Sequence, residues 1–325
     1  MIMKQQNEPK ITGKPSPAHR DAKIEFLDLS IPTVRISSKS DVENFNLENM
    51  SPDRWQICSF EEPSEFLDQS GKDYWEILNV KHSHRVVFRL ILSHYSSENF
   101  DEITIRISNN TCIDEISIDR MRSISPAQIN KLGKAVKHAG IKQLFLTGET
   151  DDVSDKHMQH FFNGLAGSTA ITALDFTETY FDTDSKIKQL AALLSSLPNI
   201  KTLILYNCNI TKEGYQLLAE SIRSRNELAV LDLQGNNGLT VTDLFELTNV
   251  MQSLQYLGTS QKLGSSYRMQ FSNQERKVKF YSDPLDDYTA MSILYPLHNT
   301  PRQSDPKNES EDLGNQSNFP LCSIL

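Results

Sequence analysis

Three phrases decide the fold: ITALDFTET (171–179), IKTLILYNC (200–208) and LAVLDLQGN (228–236). Each carries an aliphatic residue or Phe at its first, fourth and sixth positions, as in Ile200, Leu203 and Leu205. The fourth and sixth positions lie two apart, the spacing of a strand that buries one face. Two upstream phrases follow the same rule, IDEISIDRM from Ile113 and IKQLFLTGE from Ile141. The five starts are separated by 28, 30, 29 and 28 residues. A spacing this regular marks a repeat array, in which each unit buries its apolar face only against its neighbours.

Between the phrases the apolar period lengthens to that of a helix. Leu190 and Leu194 correspond to Leu218 and Ile222, to Phe161 and Leu165 upstream, and to Leu247 and Met251 downstream. Residues four apart share a helical face, so every repeat supplies one strand and one helix with a buried stripe. Ser125 before Pro126, Asp182 or Asp184, and Thr211 are the expected helix starts, being residue types that accept a backbone N–H of the first turn.

These phrases resemble the leucine-rich repeat family of ribonuclease-inhibitor type, over about residues 110–258. The ninth position of such a repeat carries Asn or Cys, which Asn236 and Cys208 match and Thr179, Glu149 and Met121 do not. The resemblance implies an α/β solenoid: a curved parallel sheet, helices on its convex face, and non-repeat caps at both ends.

The expected organisation is a disordered segment (1–23), an N-terminal α/β domain or cap (24–109), the repeats (110–258), a hairpin cap (259–297) and a tail (298–325). In the N-terminal part RVVFRLIL and EITIRIS both alternate and both read as strands, while YRMQFSNQERKVKF (267–280) reads as a hairpin.

Composition narrows the function. Of 325 residues 38% are hydrophobic, enough for a core, and the formal charge of -9 disfavours nucleic acid, whose binders carry a basic surface. A protein with a basic surface is the better-matched partner. The four cysteines form no CxxC pair, no phosphate-binding glycine loop or GxSxG occurs, and HMQH (157–160) lacks the HExxH pattern. His82, His84 and His94 have no Cys or acid at metal-ligand spacing. The chain is therefore expected to be no enzyme and to need no metal or cofactor.

In a solenoid of the resembled type the strand residues flanking the buried anchors line the concave face. Partner-binding candidates there are Glu115, Asp119, Phe145, Asp175, Thr177, Ile204, Tyr206, Asp232 and Gln234, an exposed aromatic and aliphatic centre with an acidic rim. An alternative comes from the similarity to leucine-rich-repeat activators of the small GTPase Ran, where a loop arginine acts; Arg120 and Arg122 stand in such a loop.

The last residues are LCSIL, in which Cys322, Ser323, Ile324 and Leu325 make a CaaX signal whose final Leu favours geranylgeranylation by a protein prenyltransferase. The preceding stretch from Asn299 is rich in Pro, Ser, Asn and acids, a composition that keeps a chain disordered. One prenyl chain anchors reversibly. Degenerate repeats, a polar tail with NESEDL, and the CaaX signal together resemble Legionella-like effectors injected into host cells. That resemblance implies non-classical secretion, then a host membrane or cytoplasm, with the lipid attached by the host.

Overall fold

A computed structural model describes residues 33–281 except 46–55, 62–71, 80–85, 93–96, 120–123, 148–152, 224–226, 237–239, 241, 245–248, 250, 252 and 260–278. Ten strands alternate with helices: β1 (Thr33–Ile36), α1 (Lys39–Asn44), β2 (Gln56–Phe60), α2 (Lys72–Leu78), β3 (Val86–Leu92), α3 (Ser97–Ser108), β4 (Glu115–Asp119) and α4 (Pro126–Ala139). The series continues with β5 (Gln143–Thr147), α5 (Asp155–Leu165), β6 (Ala173–Asp175), α6 (Asp184–Ser196), β7 (Thr202–Ile204), α7 (Lys212–Arg223), β8 (Val230–Asp232), β9 (Tyr256–Gly258) and β10 (Lys279–Tyr281).

The strands form one sheet in strict sequence order, every neighbouring pair parallel. Its register explains why. One apolar row crosses all ten strands: Ile36, Phe60, Leu90, Ile116, Leu144, Leu174, Leu203, Leu231, Leu257 and Phe280. From Ile36 to Leu257 each of these is buried, and all belong to one core shared with the helix residues Leu132, Phe161, Leu190 and Leu218. The fifteen anchors of the five phrases, Ile113 to Leu233, are buried without exception. The architecture is that of a leucine-rich-repeat solenoid.

The array is longer at its N-terminal end than the repeat phrases show, because β1, β2 and β3 continue the same sheet and the same apolar row. That end is packed with aromatics. Phe60 lies edge-on to Tyr74 at 5.5 Å and to Phe88 at 5.2 Å.

Three local expectations are corrected. EITIRIS is not a strand but the C-terminal part of α3, with Ile103 and Ile107 buried and Ile105 turned outward. Both periods fit so short a run, and packing against the neighbouring unit selects the helix. The helix start near Asp182 is capped by Thr183, whose hydroxyl accepts from the N–H of Lys186. Lys279–Tyr281, read as one arm of a hairpin, pair in parallel with β9 as a tenth strand; the rest of that hairpin lies outside the described residues. Ser125 caps α4 as expected, in a reciprocal capping box with Gln128, and Thr211 accepts from the N–H of Gly214.

Candidate interaction surface on the concave face

In the phrases starting at Ile171, Ile200 and Leu228 the strands end in turns built by the eighth and ninth positions. At the eighth, Glu178, Asn207 and Gly235 all take the left-handed conformation, with φ of 60°, 52° and 73°. At the ninth, Asn236 accepts from the N–H groups of Cys208 at 3.0 Å and Ile210 at 3.1 Å and donates to the carbonyl of Leu205 at 2.6 Å. One repeat earlier the Cys208 thiol donates to the carbonyl of Phe176 at 3.0 Å. Thr179, which departs from the repeat pattern, does the equivalent work: its buried hydroxyl donates to the carbonyl of Leu146 at 2.9 Å. A ladder of side-chain bonds thus marks where β5, β6 and β7 end and ties these adjacent units together.

On the concave face, side chains opposite the apolar row form two ranks. The first runs Arg89, Glu115, Gln143, Ala173, Thr202, Val230. The second runs Ser117, Phe145, Asp175, Ile204, Asp232. Arg89 Nε donates to Glu115 Oε2 at 2.6 Å, and its guanidinium lies 5.1 Å from the Phe145 ring centroid. Arg89 therefore reaches across β4 to β5. Sequence reasoning missed this residue, although an arginine within VVFRLIL, one strand from Glu115, was a visible sign of a buried pair.

Four candidates are not the exposed groups expected. Glu115 is buried against Arg89, and Phe145 is buried beneath the same guanidinium. Asp232 and Gln234 are buried too, Asp232 Oδ1 accepting the N–H of Gln234 at 2.9 Å to close the turn after β8. Asp175 makes the same bond to the N–H of Thr177 at 2.8 Å. An acid at this place in the phrase serves the turn, since a short carboxylate accepts a backbone N–H two residues on.

The accessible part of the face is narrower. Asp175, Thr177, Ile204 and Tyr206 are half-buried and adjacent on β6, β7 and the turns that follow them. Asp119 pairs through its backbone with Thr147. Arg120, Arg122, His82, His84, His94 and Cys322 lie outside the described residues.

His157 is structural: Nδ1 pairs with the Ser154 hydroxyl at 2.7 Å and Nε2 with the carbonyl of Ile124 at 3.0 Å. With that carbonyl an acceptor, Nε2 donates to Ile124. Among the described residues no group of three His, Cys, Asp or Glu is placed to hold a metal, and no helix is long and apolar enough to cross a membrane.

No family model matches the chain, and no curated protein matches its sequence. Among solved structures it is similar to actin-binding site 2 of leiomodin-1, at 16% identity and TM-score 0.38 over 54% of this chain and 92% of the other. It is similar also to the tropomodulin C-terminal domain of Caenorhabditis elegans, at 16% identity and TM-score 0.35 over 62% of this chain and 99% of that one. At these TM-scores neither bears on what this chain does.

Proposed function

We propose that this chain is a protein-interaction module that binds a partner protein through the concave patch of Asp175, Thr177, Ile204 and Tyr206. The observation that carries this reading is the half-burial of Ile204 and Tyr206 on a sheet whose other apolar side chains in β6 and β7 are buried. An aliphatic and an aromatic side chain left partly open beside a carboxylate match the apolar centre and polar rim of binding surfaces. The net charge of -9 favours a partner with a basic surface. In the same proposal Cys322 accepts a geranylgeranyl group from a host prenyltransferase, and the chain acts as a translocated effector tethered reversibly to a host membrane; LCSIL supports this step.

The test is affinity capture from eukaryotic cells expressing the full chain, comparing wild type with Ile204→Lys, Tyr206→Ala and Cys322→Ser. A partner retained by wild type and Cys322→Ser but lost with Ile204→Lys, in a variant that still folds, supports the patch. Capture unchanged in both patch variants removes it. Membrane fractionation and mass spectrometry of the C-terminus decide the lipid separately: an unmodified, cytosolic wild type ends the tethering proposal.

A further inference from the structure

The first concave rank is closed off on the side of the sheet opposite the helices. Its members from Arg89 to Val230 are between 1% and 6% exposed, and Ser59, which continues the rank on β2, is 3% exposed. Val87, Phe145, Ala173 and Val230 are buried yet lie outside the core that the helices share with the apolar row. Each of α1 to α7 sends side chains into that core, from Val42 on α1 to Ile222 on α7, so no described helix is left to lie over the concave face. Ala173, a single methyl group, is too short to hide the Gln143 side chain from its flank. A further stretch of chain must lie over the rank.

Towards the chain ends, outside the described residues, two stretches are rich in apolar side chains: IEFLDLSI (24–31), which leads into β1, and MSILYPL (291–297), which follows β10. Arg35 decides between them. It is the β1 member of the rank and its side chain is 75% exposed, whereas Ser59 one strand further in is covered. A segment leading into Thr33 would cross β1 first and cover Arg35, so the cover comes from the opposite edge. We propose that residues 282–297 fold back from β10 and lie extended across the concave face as far as β2. In MSILYPL the side chains of Met291, Ile293, Tyr295 and Leu297 fall on alternate positions, so an extended segment turns all four onto the rank. From β10 to β2 is eight strand spacings, roughly 38 Å at about 4.8 Å each. The segment spans roughly 53 Å when extended and only about 24 Å as a helix, so the extended form alone reaches. Its backbone also brings N–H and C=O groups to the buried Gln143 amide, which has no hydrogen-bond partner among the described residues. The segment occupies the first rank only, which leaves Asp175, Thr177, Ile204 and Tyr206 half-open beside it. The inference does not depend on what that patch binds.

The full chain, labelled with 13C in its valine and leucine methyl groups, is studied by nuclear Overhauser spectroscopy and by relaxation from a soluble nitroxide. The Val87 and Val230 signals are identified by their loss in Val87→Ala and Val230→Ala. The expected result is cross-peaks from these methyl groups to protons of residues 282–297, the Tyr288 and Tyr295 rings above all. In the full chain carrying Met291→Ser, Ile293→Ser and Tyr295→Ser together, relaxation of Val87 and Val230 by the nitroxide is expected to rise severalfold while Leu144 and Leu203 in the core stay protected. If that variant unfolds, as an exposed Leu144 would show, the cross-peaks of the wild type decide alone. Wild-type Val87 and Val230 open to the nitroxide would mean that nothing lies over the rank, and the proposal fails. It fails equally if their cross-peaks run to another stretch, or if Ile24→Ser with Phe26→Ser and Leu29→Ser uncovers them instead, which would assign the cover to the chain before β1. No partner enters either readout, so loss of the proposed partner patch and loss of this cover are told apart.

Discussion

The side chain of Asn236 substitutes for a backbone partner of Cys208, accepting its N–H at 3.0 Å in a buried turn. The same amide serves Ile210 and the carbonyls of Leu205 and Leu233. Asn236→Ala strands several buried groups at once and is expected to cost about 3 kcal/mol, against about 1 kcal/mol for Thr179→Val, which removes one bond. Urea unfolding midpoints of the two variants measure the difference. Equal losses would mean that the ladder is held by strand pairing rather than by these side chains.

Arg89 and Glu115 are a buried pair, with side chains 8% and 2% exposed. Removing one partner leaves an uncompensated charge, so Glu115→Leu and Arg89→Met are each expected to cost about 3–5 kcal/mol, while the double variant recovers most of the loss. A double-mutant cycle by chemical denaturation reads the coupling. Additive losses would show that the two side chains stabilise independently.

The apolar anchors from Ile113 to Leu233 were legible because a strand that packs under a helix must place apolar residues two apart, and the units repeat. The strands β1 to β3 were harder to join to the array: Cys58, Phe60 and Phe88 fill its core with bulkier or different side chains and depart from the phrase pattern. EITIRIS misled because alternating isoleucines fit a strand as well as a helix. The ninth-position rule missed Thr179, since a hydroxyl can donate where Asn or Cys is expected. For the site, the acids were read by charge alone. Asp175 and Asp232 are turn formers, and Glu115 is paired; neither the turn bond nor the reach of Arg89 is written in residue type.

Helices α4 and α5 meet at two glycines. A methyl group on Gly133 would stand 2.6 Å from the Phe161 carbonyl oxygen, and one on Gly164 would stand 2.6 Å from that of Asn130. Backbone cannot retreat as a flexible side chain does, so Gly133→Ala and Gly164→Ala are each expected to destabilise by about 2–3 kcal/mol despite alanine's better helix propensity. Thermal unfolding checks this, and a stabilised alanine variant would show that the helices separate at no cost.

The left-handed position of the turn is occupied by Glu178 in one repeat and Gly235 two repeats later. A side chain there costs about 1–2 kcal/mol. Glu178→Gly is therefore expected to be neutral or to stabilise by up to about 1 kcal/mol, whereas Gly235→Ala destabilises by at least about 1 kcal/mol. A Cβ on Gly235 also falls 3.0 Å from the backbone of Asn207. Opposite signs in a denaturation series support the shared turn; a loss in both would mean that Glu178 is held by contacts worth more than its strain.

Burial on β2 pushes the Cys58 thiol up to about 12 from its ordinary 9.0, because a thiolate there would lose its solvation. The native chain then keeps this proton where the unfolded chain releases it. The thiol's contribution to stability is constant below about pH 9 and falls as pH rises from 9 towards 12, since the native state binds more protons across that window. Tyr74 and Tyr215, raised chiefly by burial and secondarily by the charges of Glu61 and Asp243, add to the same fall above pH 10. Urea midpoints between pH 7 and 10 are expected to decline more steeply for wild type than for Cys58→Ala, whose curve lacks the thiol's contribution. Native Cys58 should also resist iodoacetamide at pH 8, because the attacking species is the thiolate. Parallel curves and rapid labelling would show that water reaches β2, and that the aromatic packing of Phe60, Tyr74 and Phe88 does not seal this end of the sheet.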